Sequence, residues 1–294
     1  MKYLSIKEVI DEAKKNDVRI SELVKNEQVK GIKEYNEVSV TTVYGKMKEA
    51  YLVMCNSIEV GLKEKCKLKI EQEDGAKIYD KYVEEGKSIF GNKIGKAISM
   101  AMAVSEVNAS MGKIVAAPTA GSCGILPAAL VCIKNIYNLS EEKVIDGLFT
   151  ASAIGMVISN VMNLAGAAGG CQAECGVAQG MAAAAIVEML DGDYDQIANA
   201  VAISLKNIEG LVCDPVAGLV ECPCIKRNAS GVINAILAAD MALAGVKSII
   251  PVDEVIFAMK QVGDVMDDRL KETAMGGLAT TDTGKKLNDK IFNA

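Results

Sequence analysis

Apolar residues recur along this chain at intervals of three and four, and that spacing predicts helices over most of its length. Ile6, Val9, Ile10 and Ala13 fall on one helical face, and Ser5 followed by Glu8 has the spacing of a capping box. Similar patterns cover 21–29 and 38–62, and the charged segment 63–77 (KEKCKLKIEQEDGAK) is expected to be an exposed linker or loop. From Ala97 to Ser140 only Glu106, Lys113 and Lys134 are charged, and between Gly147 and Val187 the sole charge is Glu174. This half is therefore expected to be largely buried, with helices over 98–111, 126–137, 140–164, 177–190, 194–208, 228–244 and 252–262. Alternating segments bounded by turn residues are scarce. The expectation is an all-α fold: one compact multi-helix domain over 1–294, with a charged amphipathic part (1–86) and a core (87–294) of Ala/Gly-rich buried helices.

Composition sharpens this picture. Residues 1–96 hold 36 of the 70 charged side chains, Trp is absent, and Phe and Tyr are few, so small side chains must fill the core and helices must approach closely. A net charge of −6 offers nucleic acid or an anionic membrane no electrostatic attraction, and neither is expected as a partner. The N-terminal stretch alternates apolar and charged residues, unlike a secretory signal, which points to the cytoplasm. The uncharged run 147–170 is long enough to span a bilayer but carries Thr150, Ser152, Ser159, Asn160 and Asn163, so a buried helix of a soluble bundle is the better reading.

Nine cysteines at irregular spacings in a cytosolic chain point to metal binding or apolar packing, not to disulfides. Five of them lie between Gly169 and Asn228. Cys171, Cys213 and Cys224 sit among Gly, Pro and Asp residues that predict loops, where soft thiolates could hold zinc or an iron–sulfur group. With 41 and 10 residues between them they match neither the zinc-ribbon nor the ferredoxin spacing. Cys55, Cys66 and Cys132 fall in helical patterns and read as packing residues, Cys123 is undecided, and Cys175 or Cys222 could be a ligand or simply packed. The glycines at 166, 169 and 170 lack the dinucleotide-loop spacing and suit a close backbone approach beside Cys171. The turn AAPTAGSCG, 116–124, precedes a predicted helix and offers backbone N–H groups suited to a carboxylate, or simply connects helices. Glu106, in SEVNASMG with Ser105 and Asn108, is either a buried functional carboxylate or an edge residue.

Several long segments, SEVNASMGKIVAAPTAGSCGILPAAL, AGAAGGCQAECGVAQGMAAAAIVEML, LKNIEGLVCDPVAGLVECPCIKRNA and TAMGGLATTDTGKKL, together resemble the alpha subunit of the iron–sulfur-dependent L-serine dehydratases, or L-serine ammonia-lyases. The resemblance runs from about Lys87 to the C-terminus and is looser before it. It implies a [4Fe-4S] cluster held in loops by Cys171, Cys213 and Cys224 with one iron free for substrate, Cys175 and Cys222 lying outside that pattern. It also implies that Thr119, Ala120 and Gly121 line the substrate pocket. Lys226 and Arg227, directly after Cys224, either pair with the cluster or the substrate carboxylate or are merely solvated. The implied reaction is elimination from L-serine to pyruvate and ammonia, a step of amino-acid degradation and gluconeogenesis. That chemistry needs a Lewis acid on the hydroxyl and a base for the α-proton. The chain has no histidine, the side chain best suited to proton transfer near neutral pH. The resemblance therefore implies that a separate beta subunit completes the catalytic site in a heterodimer, and the general base is not assigned. L-cysteine desulfidases share this kind of cluster site, and a non-catalytic helical metal-binding subunit is the alternative from another class.

Overall fold

The computed structural model describes residues 3–33, 40–71 and 73–293. Among these residues the fold is all-α, with thirteen helices and, in place of a sheet, one isolated parallel bridge between Cys213 and Lys271. The helices are α1 (Ile6–Lys15), α2 (Ile20–Lys33), α3 (Val40–Lys63), α4 (Gly75–Glu84), α5 (Gly91–Ala109), α6 (Ile125–Tyr137) and α7 (Glu141–Val161). They continue with α8 (Gly166–Gly169), α9 (Val177–Met189), α10 (Tyr194–Lys206), α11 (Cys224–Leu243), α12 (Val252–Val265) and α13 (Asp282–Phe292). Residues 38 and 39 of the predicted helix 38–62, and residue 72 of the predicted linker, lie outside the described residues.

Helix α9 is the centre of the molecule. Every residue of its sequence VAQGMAAAAIVEM is buried, and it packs against α6, α7, α10 and α11. A helix that is small and apolar on all sides has no face for solvent and is stable only when surrounded. Its two polar side chains are matched from outside: Asn234 donates to Gln179, and Arg19 and Ser21 both donate to Glu188, at 2.8 Å each. Small residues set the spacing elsewhere too. A Cβ at Gly124, just before α6, would lie 2.2 Å from the carbonyl oxygen of Ala101 in α5, so the two helices approach as closely as backbone allows.

The N-terminal helices join the same apolar core, which runs from Ile6 to Met259. Ile6, Val9, Ile10 and Ala13 are the buried face of α1, as their spacing predicts. Ser5 caps that helix by accepting the Glu8 N–H at 3.0 Å, but Glu8 reaches back to the Leu4 N–H at 2.8 Å and not to Ser5. The remaining first-turn donors, Ile6 and Lys7 N–H, go to Asp253 of α12 at 2.6 and 3.1 Å. A cap supplied from the other end of the sequence ties the first helix to the last third of the fold.

Two apolar stretches, Ala120–Tyr137 and Glu141–Val161, are long enough to cross a membrane, but their windows are 61% and 67% buried inside the fold and their partners are other helices. Most of the segment 63–77 is the loop expected, exposed in places, but part of it is held against the fold. Its last residues start α4, Cys66 is buried, and the N–H groups of Lys69, Ile70 and Glu71 converge on the buried Glu221 carboxylate at 2.7 to 3.1 Å. A charged sequence lies against the protein here because one buried carboxylate collects its backbone donors.

Candidate active site

The N-terminal ends of α6 and α11 meet, and the turn that enters α9 lies beside them. Asn228, in the first turns of α11, makes the junction: its Oδ1 accepts the Gly124 N–H at 2.9 Å and its Nδ2 donates to the Gly121 carbonyl at 2.8 Å. Asn108 of α5 holds the same turn from the other side by donating to the Ala120 carbonyl at 3.0 Å. The stretch Thr119, Ala120 and Gly121 is thereby fixed by two buttressing amides at the mouth of the site. Of the undecided residues in SEVNASMG, Asn108 therefore serves this turn. Glu106 is buried elsewhere, accepting the Ala76 N–H at the start of α4 at 2.8 Å.

The three motif cysteines reach this junction from three segments. Cys171 follows Gly170, whose φ of +77° lies where a side chain would be strained, and opens a single π-helical turn over Gln172–Gly176. That turn is anchored by Gln172, which donates to the Met259 carbonyl and accepts the Gly210 N–H at 2.9 and 2.8 Å. Cys213 lies in an extended segment locked to the C-terminal loop, its N–H donating to Leu270 at 2.8 Å and its carbonyl accepting from Glu272 at 2.7 Å. Cys224 is the first residue of α11, not a loop residue, because that helix begins four residues before the predicted start. All three side chains are buried; Cys213 feels the charge of Cys171 and Cys224, and Cys224 that of Cys171.

Arg227 supplies the positive charge. Its guanidinium donates to the Val212 carbonyl and to buried Asp214, both at 2.8 Å, and it also hydrogen-bonds Cys171. Asp214 in turn accepts the Leu278 N–H at 2.8 Å, so it pins the C-terminal loop with the same carboxylate. The contact with Cys175, sulfur to sulfur 3.4 Å, and the Arg227 charge together lower the Cys171 pKa below the usual thiol range despite burial. Burial and the nearby Cys171 push Cys224 up to about 12 and drive Cys213 upward as well. Among the described residues no three His, Cys, Asp or Glu side chains close tightly enough to grip a single metal ion. Lys226 takes no part in this arrangement. One residue further round the helix surface it is more than half exposed and ion-paired with Glu71, the solvated alternative for that residue.

Glu174 belongs to the site and was not among the predicted residues. It rides on the π-helical turn after Cys171, hydrogen-bonded to the Thr119 side chain and the Gly166 backbone. A Cβ at Gly166 would lie 2.8 Å from the Cys213 sulfur and 3.0 Å from Glu174 Oε2, and one at Gly121 would lie 3.1 Å from Oε2. Both glycines thus leave room where the Thr119–Gly121 turn, the carboxylate and the Cys213 thiol meet. The signal for Glu174 was its isolation as the one charge in a long apolar stretch. Cys55, Cys66, Cys123 and Cys132 lie outside this group, and Cys123 is packed in the core.

The family model for the serine dehydratase alpha chain matches residues 14–279. The chain belongs to this family. It is 47% identical over 291 residues to the probable L-serine dehydratase alpha chain of Bacillus subtilis, covering 99% of this chain and 95% of that one. It is 48% identical over 282 residues to the L-serine dehydratase alpha chain of Peptoniphilus asaccharolyticus, covering 96% and 95% of the two chains. An L-serine dehydratase of Helicobacter pylori is 36% identical over 282 residues, which are 95% of this chain but 62% of that protein. For the Bacillus and Peptoniphilus alpha chains the match is nearly end to end, and for the longer Helicobacter protein it is partial.

Proposed function

We propose that this chain is the alpha subunit of an L-serine dehydratase, a lyase that removes water from L-serine and, after hydrolysis of the product, releases pyruvate and ammonia. The observation that carries the reading is the nearly end-to-end similarity to alpha chains of that name, joined to the meeting of their motif segments at one buried junction. We further propose that Cys171, Cys213 and Cys224 hold a [4Fe-4S] cluster. The residues fit such a group. The thiols of one cluster bind separate irons and need not close on a single ion, Arg227 offsets their negative charge, and Gly166 keeps the space beside Cys213 clear. When bound, a cluster with one iron lacking a protein ligand supplies a Lewis acid for the serine hydroxyl.

The chain's own residues bind and orient. The turn Thr119–Gly121, held by Asn108 and Asn228, presents a polar edge to the substrate, and the Arg227–Asp214 pair favours ionised Cys171. A chain without histidine points to a proton acceptor outside it. The longer Helicobacter protein, of which this chain matches 62%, carries additional sequence that we equate with a separate beta subunit here. We place the heterodimer in the cytoplasm. The test is a pair of assays on the chain copurified with its beta partner without oxygen: pyruvate formed from L-serine and sulfide released from L-cysteine. Pyruvate formation as the dominant activity is expected; dominant sulfide release would assign the chain to cysteine desulfuration instead.

A further inference from the structure

We propose that Glu174 receives the α-ammonium group of the amino-acid substrate, an inference that rests on the reading of the chain as a serine lyase. Its carboxylate lies between the Thr119–Gly121 turn, Gly166 and the Cys213 thiol. Buried carboxylates are ordinarily paired with a cation. Among the described residues no Lys or Arg is ion-paired with Glu174, whose neighbours are the Thr119 side chain, the Gly166 backbone and the like charge of Glu272. An amino acid brings a cation with it.

The alternatives are occupied or outside. Asp214 is committed to Arg227 and the Leu278 N–H, and Glu272 is an exposed residue whose backbone is bonded to Cys213. Glu174 is therefore the partly buried acid at the thiol junction with capacity left for a charged donor. Its position on a π-helical turn fits the same role, because the widened turn lets Cys171 and Glu174, three residues apart, both address the junction. The turn's small residues at 120 and 121 leave the approach to the carboxylate free of side-chain bulk.

The test uses the anaerobically prepared two-subunit enzyme with Glu174→Gln and compares two ligands: L-serine and 3-hydroxypropanoate, which has the hydroxyl and carboxylate but no ammonium. Iron and sulfide content are measured on the same samples, and 3-hydroxypropanoate binding is read by calorimetry. The expected result is unchanged iron and sulfide and a KM for L-serine raised about 10- to 100-fold, the loss of one charge-assisted hydrogen bond. Binding of 3-hydroxypropanoate should stay within about twofold of the unsubstituted enzyme. An unchanged KM, an equal loss of both ligands, or loss of iron would overturn the assignment, the last by making Glu174 a support of the thiols. If the glutamine variant does not fold, Glu174→Asp is read by the same ligand comparison, with a smaller shift expected and no shift contradicting the proposal. An unsubstituted enzyme that fails to act on L-serine would overturn the parent reading, and that failure is visible before any substitution is made.

Discussion

At the scale of single residues, the buried glutamates hold different donors: Glu106 the start of α4, Glu188 the side chains of Arg19 and Ser21, and Glu221 the N–H groups of 69–71. Glu106 is 1% exposed, caps the start of α4 through Oε1, and has no partner for Oε2 among the described residues. Burial is the main cause that lifts its pKa to about 7, with Asp74 adding to it and Lys226 and Lys77 opposing. A carboxyl whose folded pKa lies above its unfolded value binds more protons in the folded state between the two, so stability falls as pH rises from about 4.5 to about 7. Glu106→Gln keeps the acceptor and removes the ionisation. Denaturant unfolding between pH 4.5 and 8 is expected to show a flatter profile for the variant and a gain of roughly 2–3 kcal/mol at pH 8. Parallel profiles would contradict this account of Glu106. Gly166 gives a second residue-scale prediction. Gly166→Ala places a methyl 2.8 Å from the Cys213 sulfur and should lower the iron bound per chain, measured against a wild-type sample loaded in parallel. The motifs singled out the three cysteine segments that the fold brings together, whereas the place of Glu174 beside them was not legible, because a lone charge in an apolar run does not reveal which surfaces it faces until the helices are assembled.

At the scale of elements, periodicity located the helices and failed mainly at their ends. The buried face of α1 and the Ser140 cap of α7 follow directly from local sequence, since both depend on side chains within one turn. The start of α11 at Cys224, the helix α4 and the C-terminal α13 were not legible. Helix α11 is extended toward the site by tertiary contacts of Asn228, and α4 is short and begins with Gly75, whose N-terminus is satisfied by Glu106 from another helix. The Asp253 cap on α1 is likewise invisible in a local window, because 247 residues separate donor from acceptor. Asp253→Ala is expected to cost about 1–2 kcal/mol of stability in denaturant unfolding, the usual value of a helix N-cap. An unchanged midpoint would show that the long-range cap is not a stabilising contact.

At the scale of the whole molecule, the fold is a shell of helices around α9 that brings four distant motif segments to one junction near the N-terminal ends of α6 and α11. Gly and Ala, dense in the α9 segment, permit its neighbouring helices to close on it. The proposed site contains thiols and polar groups but no histidine, so on this reading the isolated chain should be inactive toward L-serine and gain activity with the proposed beta subunit, measured as pyruvate formed. The central claim is that the three thiols hold an iron–sulfur cluster. It is tested most directly by iron and sulfide content after purification without oxygen, comparing the wild type with Cys171→Ser, Cys213→Ser and Cys224→Ser. About four irons and four sulfides per wild-type chain, with marked loss in each variant, is the expected result; a colourless wild-type protein carrying stoichiometric zinc would contradict it.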